Sequence, residues 1–227
     1  MAAFEGRVAT GTGLDFAEAL RRLESGEPAV AVLGPSPVDL AAVVAFAALG
    51  AEGSEGPSLV RRPPDRPRLV AAVSEEALAA VAPRAGRPAR LALAAGLLQV
   101  LDAWDASHEA AQEAGDLGER DFSAYWHGVA HRREPDAWNA GYWFRRVGRH
   151  PLFGPLGAAA RTLADGDVAL PIGPDGWDPF AMIDLCAQGR AGTDRERLAR
   201  RLQRLEMATL LEATAAALGS SSKGAVT

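Results

Sequence analysis

Glycine and proline divide this chain into segments in which apolar residues recur with the 3.6-residue period of an α-helix. Asp15 is placed to begin the first such segment and Gly26 to end it, and Thr193 is placed to begin a last helix that continues to about Leu218. Only residues 28–33 are typical of a short strand or a buried connector. The pattern therefore predicts an all-α, bundle-like single domain with at most one short strand.

Composition along the chain predicts how this domain is organised. Residues 1–87 are predicted to form an N-terminal helical region, which could be peripheral to the core. A stretch rich in glycine, proline, serine and arginine interrupts it at 51–68 and predicts a mobile loop. Residues 88–218 form the helical core. Residues 219–227 are small and polar, and they predict a disordered tail.

Charge and residue usage exclude several classes of protein. The net charge of −5 argues against nucleic-acid binding, and the single cysteine, Cys186, excludes an intrachain disulfide. The apolar run Leu40–Ala51 is too short to cross a bilayer, which needs about 20 residues, and the N-terminus lacks the pattern of a signal peptide. We therefore expect a soluble, cytoplasmic protein with no membrane partner. The sequence leaves a homo-oligomer open.

Unusual residues concentrate after a long predicted helix at about Pro88–Ala114. All four histidines, both tyrosines and three of the five tryptophans lie between positions 108 and 150, in a chain that contains 48 alanines. An antiparallel helix hairpin at about 123–148 is predicted here, with Pro135 at its turn. A pocket with aromatic walls and a few polar groups explains this concentration. A hairpin that is merely the best-packed part of the core explains it as well.

Three of these histidines and two carboxylates have the spacing of metal ligands. His127 and His131 are one helical turn apart, so both imidazoles could bind one ion, and Glu134 lies three residues further on. Asp105 and His108 form a carboxylate-x-x-His pair on the preceding helix. The predicted cofactor is a single divalent metal such as zinc, iron or manganese. His127 and His131 could instead be acid/base groups, or could hydrogen-bond within a packed helix pair.

Aromatic and basic side chains of the hairpin are candidates for ligand contacts. Arg145 or Arg146 could hold an anionic group, because guanidinium binds carboxylate or phosphate through paired hydrogen bonds. Trp126, Tyr142 and Trp143 could form the walls of such a pocket. Most surface arginines are solvated or paired with carboxylates, and that alternative stays open for each arginine here.

The hairpin also resembles a known family. The segment 123–153 contains the pattern YWHxxxHRREPDxxNAxYWFRRVGxHP, and it is similar to a segment of an uncharacterised family of soluble bacterial and fungal proteins. The WDPF element at 177–180, the DLC element at 184–186 and the segment 104–109 extend the resemblance to about residues 98–215. The resemblance implies a shared fold and no particular chemistry.

Two functions are consistent with these patterns. The first is a small-molecule binding protein or enzyme with a pocket lined by histidine, tryptophan and arginine, in which an anionic ligand meets a bound metal ion. The second is a non-catalytic helical scaffold that docks a partner protein through the aromatic, basic hairpin. The sequence does not decide whether the protein is an enzyme.

Overall fold

The computed structural model describes residues 14–50, 55–164 and 167–220, and within these ranges the predicted all-α single domain is confirmed. Its helices are α1 (Phe16–Glu24), α2 (Ala29–Leu33), α3 (Pro37–Leu49), α4 (Pro67–Ala71), α5 (Glu75–Val81), α6 (Arg87–Val100), α7 (Trp104–Asp116), α8 (Phe122–Arg133), α9 (Ala137–Val147), α10 (Phe153–Arg161), α11 (Pro179–Gln188) and α12 (Asp194–Ser220). Its strands, β1 (Ile172–Gly173) and β2 (Gly176–Trp177), form one small antiparallel hairpin.

Short polar side chains begin two of these helices where the sequence predicts. The Asp15 carboxylate accepts hydrogen bonds from the backbone N–H groups of Ala17 and Glu18 at the start of α1. Thr193 Oγ1 accepts one from the N–H of Glu196 at the start of α12. These bonds satisfy N–H groups that have no partner within the helix, and so they fix where each helix begins.

Residues 28–33 do not form the short strand that the sequence allows. Ala29–Leu33 form the short helix α2, with Ala29 buried in the core. In the described part of the chain the strands β1 and β2 pair only with each other. A lone strand would leave its backbone groups unpaired, whereas a helix satisfies them locally.

The long helix predicted at about Pro88–Ala114 is divided into α6 and α7. Asp102 adopts a left-handed backbone with φ of +59°, and its carboxylate accepts a hydrogen bond from Arg133 Nη2 at 2.6 Å. The chain reverses there, so that Arg87 at the start of α6 pairs with Glu113 near the end of α7 at 2.6 Å. This reversal turns α7 back along α6 and against α8.

The central hairpin predicted at about 123–148 is confirmed as α8 and α9. Asp136 begins α9 by accepting a hydrogen bond from the N–H of Asn139 at 3.0 Å. The two helices approach closely at Gly128, where an added Cβ would lie 2.9 Å from the ring of Phe144. Glycine at this position therefore allows the aromatic ring to lie directly on the helix backbone.

Helix α8 is the centre of the fold, because every residue from Ser123 to Arg133 is buried. Trp126 of α8 packs on Gly96 of α6, where an added Cβ would lie 2.6 Å from the indole. The long helix α12 packs against α3, α6, α10 and α11. Since α3 belongs to the N-terminal region, that region and residues 88–218 contribute to one hydrophobic core.

Two predicted segments lie partly outside the described residues. Positions 51–54 of the predicted mobile loop lie outside the described residues. Further along the same loop, the backbone N–H of Arg61 donates to the carbonyl of Arg133 at 2.8 Å. Residues 221–227 of the predicted tail also lie outside them, and Ser220 is the last residue of α12. Among the helices of the described residues, none combines the length and apolarity that a membrane span requires.

Candidate metal centre

Three of the four histidines meet where α7, α8 and α9 pack together. His127 and His131 lie one turn apart on α8, and His108 faces them from α7. The ring centroid of His108 is 4.4 Å from that of His127 and 5.0 Å from that of His131, and the latter two are 5.0 Å apart. One nitrogen of each ring lies within 4.8 Å of the others. We call these three residues the histidine cluster.

Two tryptophans enclose the histidine cluster. Trp104 stacks on His108 with ring centroids 5.0 Å apart, and Trp143 stacks on His127 at 3.7 Å with only 13° between the planes. The indole Nε1 of Trp104 donates to the carbonyl of Ala130 at 2.8 Å, which fixes the orientation of that ring. The imidazoles therefore lie between aromatic walls that restrict their rotation.

His131 has two polar neighbours that fix its tautomer. Its Nδ1 lies 3.0 Å from a carboxylate oxygen of Glu134, which accepts a hydrogen bond from the ring N–H. The ring nitrogen Nε2 then carries the free lone pair. The amide nitrogen of Asn139 lies 3.1 Å from Nε2 and 3.3 Å from Nδ1, so it would have to give way to a metal ion at Nε2. The other oxygen of Glu134 lies 3.9 Å from the guanidinium of Arg61. A carboxylate that orients a histidine in this way is a common feature of metal sites.

Burial keeps part of the histidine cluster neutral. Burial, together with the neighbouring His108 and His131, lowers the pKa of His127 to about 3. Burial and the neighbouring His131 also lower the pKa of His108. Both rings are therefore neutral at pH 7, the state in which imidazole binds metals. The Nδ1 atom of His127 is buried and has no hydrogen-bond partner in the described part of the chain.

The structure does not bring Asp105 to the histidine cluster, although its spacing from His108 predicts a shared site. The Asp105 carboxylate is 87% exposed and lies 3.6 Å from Arg61. The helix break at Asp102 makes Asp105 a first-turn residue of α7, where a negative charge interacts favourably with the helix dipole. The Asp105 carboxylate is therefore in solvent, whereas the three histidines of the cluster are buried or half-buried.

Trp126 and Arg145 also lie away from the histidine cluster. Trp126 is fully buried, and its Nε1 donates to Thr214 Oγ1 at 3.1 Å, so it is a core residue that no ligand can reach without unfolding the core. Arg145 is exposed on α9. By contrast, Tyr142, Trp143 and Arg146 line a cavity beside the cluster.

Sequence reasoning missed a buried network on another face of α8. The carboxylate of Glu206 on α12 accepts hydrogen bonds from Arg132, from the Tyr125 hydroxyl at 3.1 Å and from Trp177 Nε1 at 3.2 Å. We call these four residues the Glu206 network. The sequence contains a signal for this network. Glu206 lies about one helical turn after the core residue Leu202, so helical spacing places its carboxylate on the buried face of α12.

Charges within the Glu206 network support one another. Burial opposes ionisation of Arg132, but Glu206 outweighs burial and raises the pKa of the guanidinium. Burial and Glu206 raise the pKa of the Tyr125 hydroxyl well above its usual value, so Tyr125 remains a hydrogen-bond donor. The network is therefore an internally paired ionic centre.

No protein-family model, curated protein or solved structure matches this chain. The resemblance of residues 123–153 to an uncharacterised family therefore stays a prediction.

Proposed function

We propose that this protein binds one divalent transition metal ion through His108, His127 and His131 and acts on, or binds, a small anionic molecule beside it. The observation that carries the proposal is the buried, unpartnered Nδ1 of His127 within a group of three imidazoles whose nitrogens lie within 4.8 Å of one another. Buried polar atoms normally have a partner, and a metal ion supplies one. Metal–nitrogen bonds of about 2.0–2.1 Å place tetrahedral ligand nitrogens about 3.3 Å apart, so metal binding would draw together the nitrogens that are now furthest from one another.

The donors favour a transition metal over calcium or magnesium. Neutral imidazoles suit zinc, iron, copper and nickel, whereas calcium and magnesium prefer oxygen ligands. A second group, His131 with Glu134 and Asp136, could also hold an ion. It is the weaker candidate, because Asp136 already accepts the N–H of Asn139 at the start of α9. We therefore assign Glu134 to orienting His131.

A metal ion held by three histidines keeps positions open for water or substrate, and it can acidify bound water or polarise a bound oxygen. The residues of this chain would hold His108 and His127 neutral, fix the rotamers of these two rings against Trp104 and Trp143, and limit solvent access to the side of the half-buried His108. These are properties that a hydrolytic or hydrating centre requires.

Metal analysis of untagged protein tests this proposal. We expect one zinc, iron or manganese ion per chain and a rise in thermal stability when the matching metal is added to chelator-treated protein. His127→Gln should abolish both effects. The matched control is His150→Gln, because His150 lies outside the cluster and packs on Tyr125 and Phe153. Wild-type protein that binds none of these metals would contradict the proposal.

Glu134→Gln separates the orienting carboxylate from the ligands. Loss of a residue that orients a metal ligand typically weakens metal binding about 10- to 100-fold, so we expect a loss of that size with one ion still bound at saturation. Competition with a chromophoric chelator measures it. Unchanged affinity would mean that the contact between Glu134 and His131 does not serve metal binding.

A protein-docking scaffold is a second candidate, and one observation favours it. Trp138 is 76% exposed on α9, and Tyr142 and Phe180 are also exposed. Large exposed aromatic side chains near one another are typical of interfaces. Concentration-dependent self-association that Trp138→Ala removes, in a protein that binds no metal, would support the scaffold over the metal centre.

A further inference from the structure

A cavity of about 670 Å³ opens next to the histidine cluster, between the end of α7, the start of α8 and α9. This volume is within the range of about 300–1,000 Å³ that is typical of small-molecule sites. Its floor contains the small residues Gly115, Ser123 and Ala124. Trp143 and Tyr142 form its aromatic side, with the two rings edge to face at 5.4 Å.

Trp143 gives this cavity a fixed planar surface. Its indole is stacked on His127 at 3.7 Å, and the guanidinium of Arg146 lies 5.4 Å from its ring centre. Stacking on His127 restricts rotation of the indole, so little conformational entropy is lost when a ligand packs against its other face, which the exposed Arg146 would leave in order to meet the carboxylate of the ligand. Planar aromatic groups gain most from such a surface.

Among the charged side chains that line the cavity, the carboxylates accept hydrogen bonds from neighbouring groups, whereas the arginines have donors available for a ligand. Glu119 accepts hydrogen bonds from three backbone N–H groups at the start of α8, and Asp116 accepts one from the amide of Gln112. Arg146 donates only a long hydrogen bond of 3.4 Å to the Tyr142 hydroxyl. Within residues 14–50, 55–164 and 167–220, neither Arg120 nor Arg146 has a carboxylate at ion-pair distance.

We propose that this cavity binds a planar aromatic monocarboxylate, with its ring against Trp143 and its carboxylate between Arg120 and Arg146. Free guanidinium donors match a carboxylate, and the aromatic wall matches a flat ring. Asp116 and Glu119 add negative charge nearby, which disfavours a dianion such as a phosphate monoester. The inference extends the proposed function, because a ligand here would lie one indole away from His127, but binding in the cavity requires no metal.

Isothermal titration calorimetry of chelator-treated protein with sodium benzoate tests the inference. We expect saturable binding that Arg146→Gln weakens about 10- to 100-fold through the loss of charge-assisted hydrogen bonds. Arg145→Gln is the matched control, because Arg145 is the neighbouring exposed arginine of α9 and does not line the cavity. It should bind benzoate within about twofold of wild type, since a distant exposed charge contributes little through solvent.

Comparison ligands decide the chemical class. Benzyl alcohol, which lacks the charge, and cyclohexanecarboxylate, which lacks the flat ring, should both bind more weakly than benzoate. Absence of saturable benzoate binding, equal losses in the Arg145 and Arg146 variants, or tighter binding of phenyl phosphate would each overturn the inference. Because the titration is done without metal, its failure is distinguishable from failure of the metal centre, which metal analysis tests separately.

Discussion

The two sides of α8 bury polar groups in opposite ways. At the Glu206 network, one negatively charged carboxylate accepts hydrogen bonds from a guanidinium, a hydroxyl and an indole N–H. At the histidine cluster, three imidazoles converge, and the Nδ1 of His127 has no partner in the described chain. In the first arrangement the two opposite charges of Arg132 and Glu206 are paired with each other, although Nε and Nη1 of Arg132 have no hydrogen-bond partner in the described chain. The second brings three imidazoles together, and in the described chain its one contact with a carboxylate is that of His131 with Glu134.

This difference suggests different roles for the two sites. An ionic centre with its own counter-charge holds α8 and α12 in one relative position. The neutral imidazole of His127 costs free energy of desolvation, and its buried Nδ1 makes no hydrogen bond in the described chain that would offset this cost. Sites that sacrifice stability in this way are commonly the functional ones.

The largest expected effect is on the Glu206 network. Arg132→Met leaves the buried Glu206 carboxylate without a counter-charge, and we expect a loss of about 3–5 kcal/mol in the free energy of unfolding, measured by urea denaturation. The double variant Arg132→Met/Glu206→Gln should recover most of this loss, because both charges are then absent while the amide oxygen can still accept from Tyr125 and Trp177. The exposed Arg145→Met should change stability by less than about 0.5 kcal/mol. Equal losses in the single and double variants would show that the pair is not coupled.

The next effect is a dependence of stability on pH in metal-free protein. Unfolded His127 takes up a proton near pH 6.5, whereas folded His127 does so only near its lowered pKa of about 3. The unfolded state therefore binds more protons between these values, and stability that is fully present above pH 6.5 is lost as the pH falls toward 3. Each such histidine contributes a slope of at most about 1.4 kcal/mol per pH unit. His127→Phe should flatten the slope, and an unchanged slope would contradict this.

A smaller effect, of opposite sign, is expected for His127→Phe at neutral pH. Phenylalanine keeps the stacking on Trp143 and removes a buried polar atom without a partner, so we expect metal-free protein to gain up to about 2 kcal/mol. Chemical denaturation in the presence of a chelator measures the change. A clear loss of stability would mean that His127 is a structural residue, and the contrast between the two sides of α8 would disappear.

The smallest effect is expected at Asp105. Its carboxylate is exposed and, among the residues that the structure describes, pairs only with Arg61, so Asp105→Asn should cost less than about 0.5 kcal/mol. Metal affinity should be unchanged, because the side chain lies outside the histidine cluster. A loss of metal binding as large as that of His127→Gln would return Asp105 to the ligand set.

Local patterns explain which parts could be predicted from the sequence. The hairpin and the proximity of His127 to His131 follow from helical spacing within one segment. The position of Asp105 could not be predicted, because it depends on the break at Asp102, which is stabilised by Arg133 on another helix. Such a contact, distant in the sequence, leaves no periodic signal.

Residue type alone also cannot separate a core aromatic from a pocket aromatic. Trp126 and Trp143 occur in the same hairpin, yet one is fully buried against Gly96 and the other is partly exposed at a cavity. Arg61 was missed because it lies on a loop far from the hairpin in sequence. Only the three-dimensional structure brings its guanidinium over Trp104, at 4.4 Å from the ring centre.

The glycines at positions 96 and 128 restrict how this protein could be engineered for heat resistance. Replacing glycine with alanine inside a helix is a common remedy, because alanine favours the helix by about 1 kcal/mol. Here the new methyl group would collide with the ring of Trp126 or Phe144. Thermostable variants should therefore retain both glycines, or exchange each one together with the aromatic ring that lies on it.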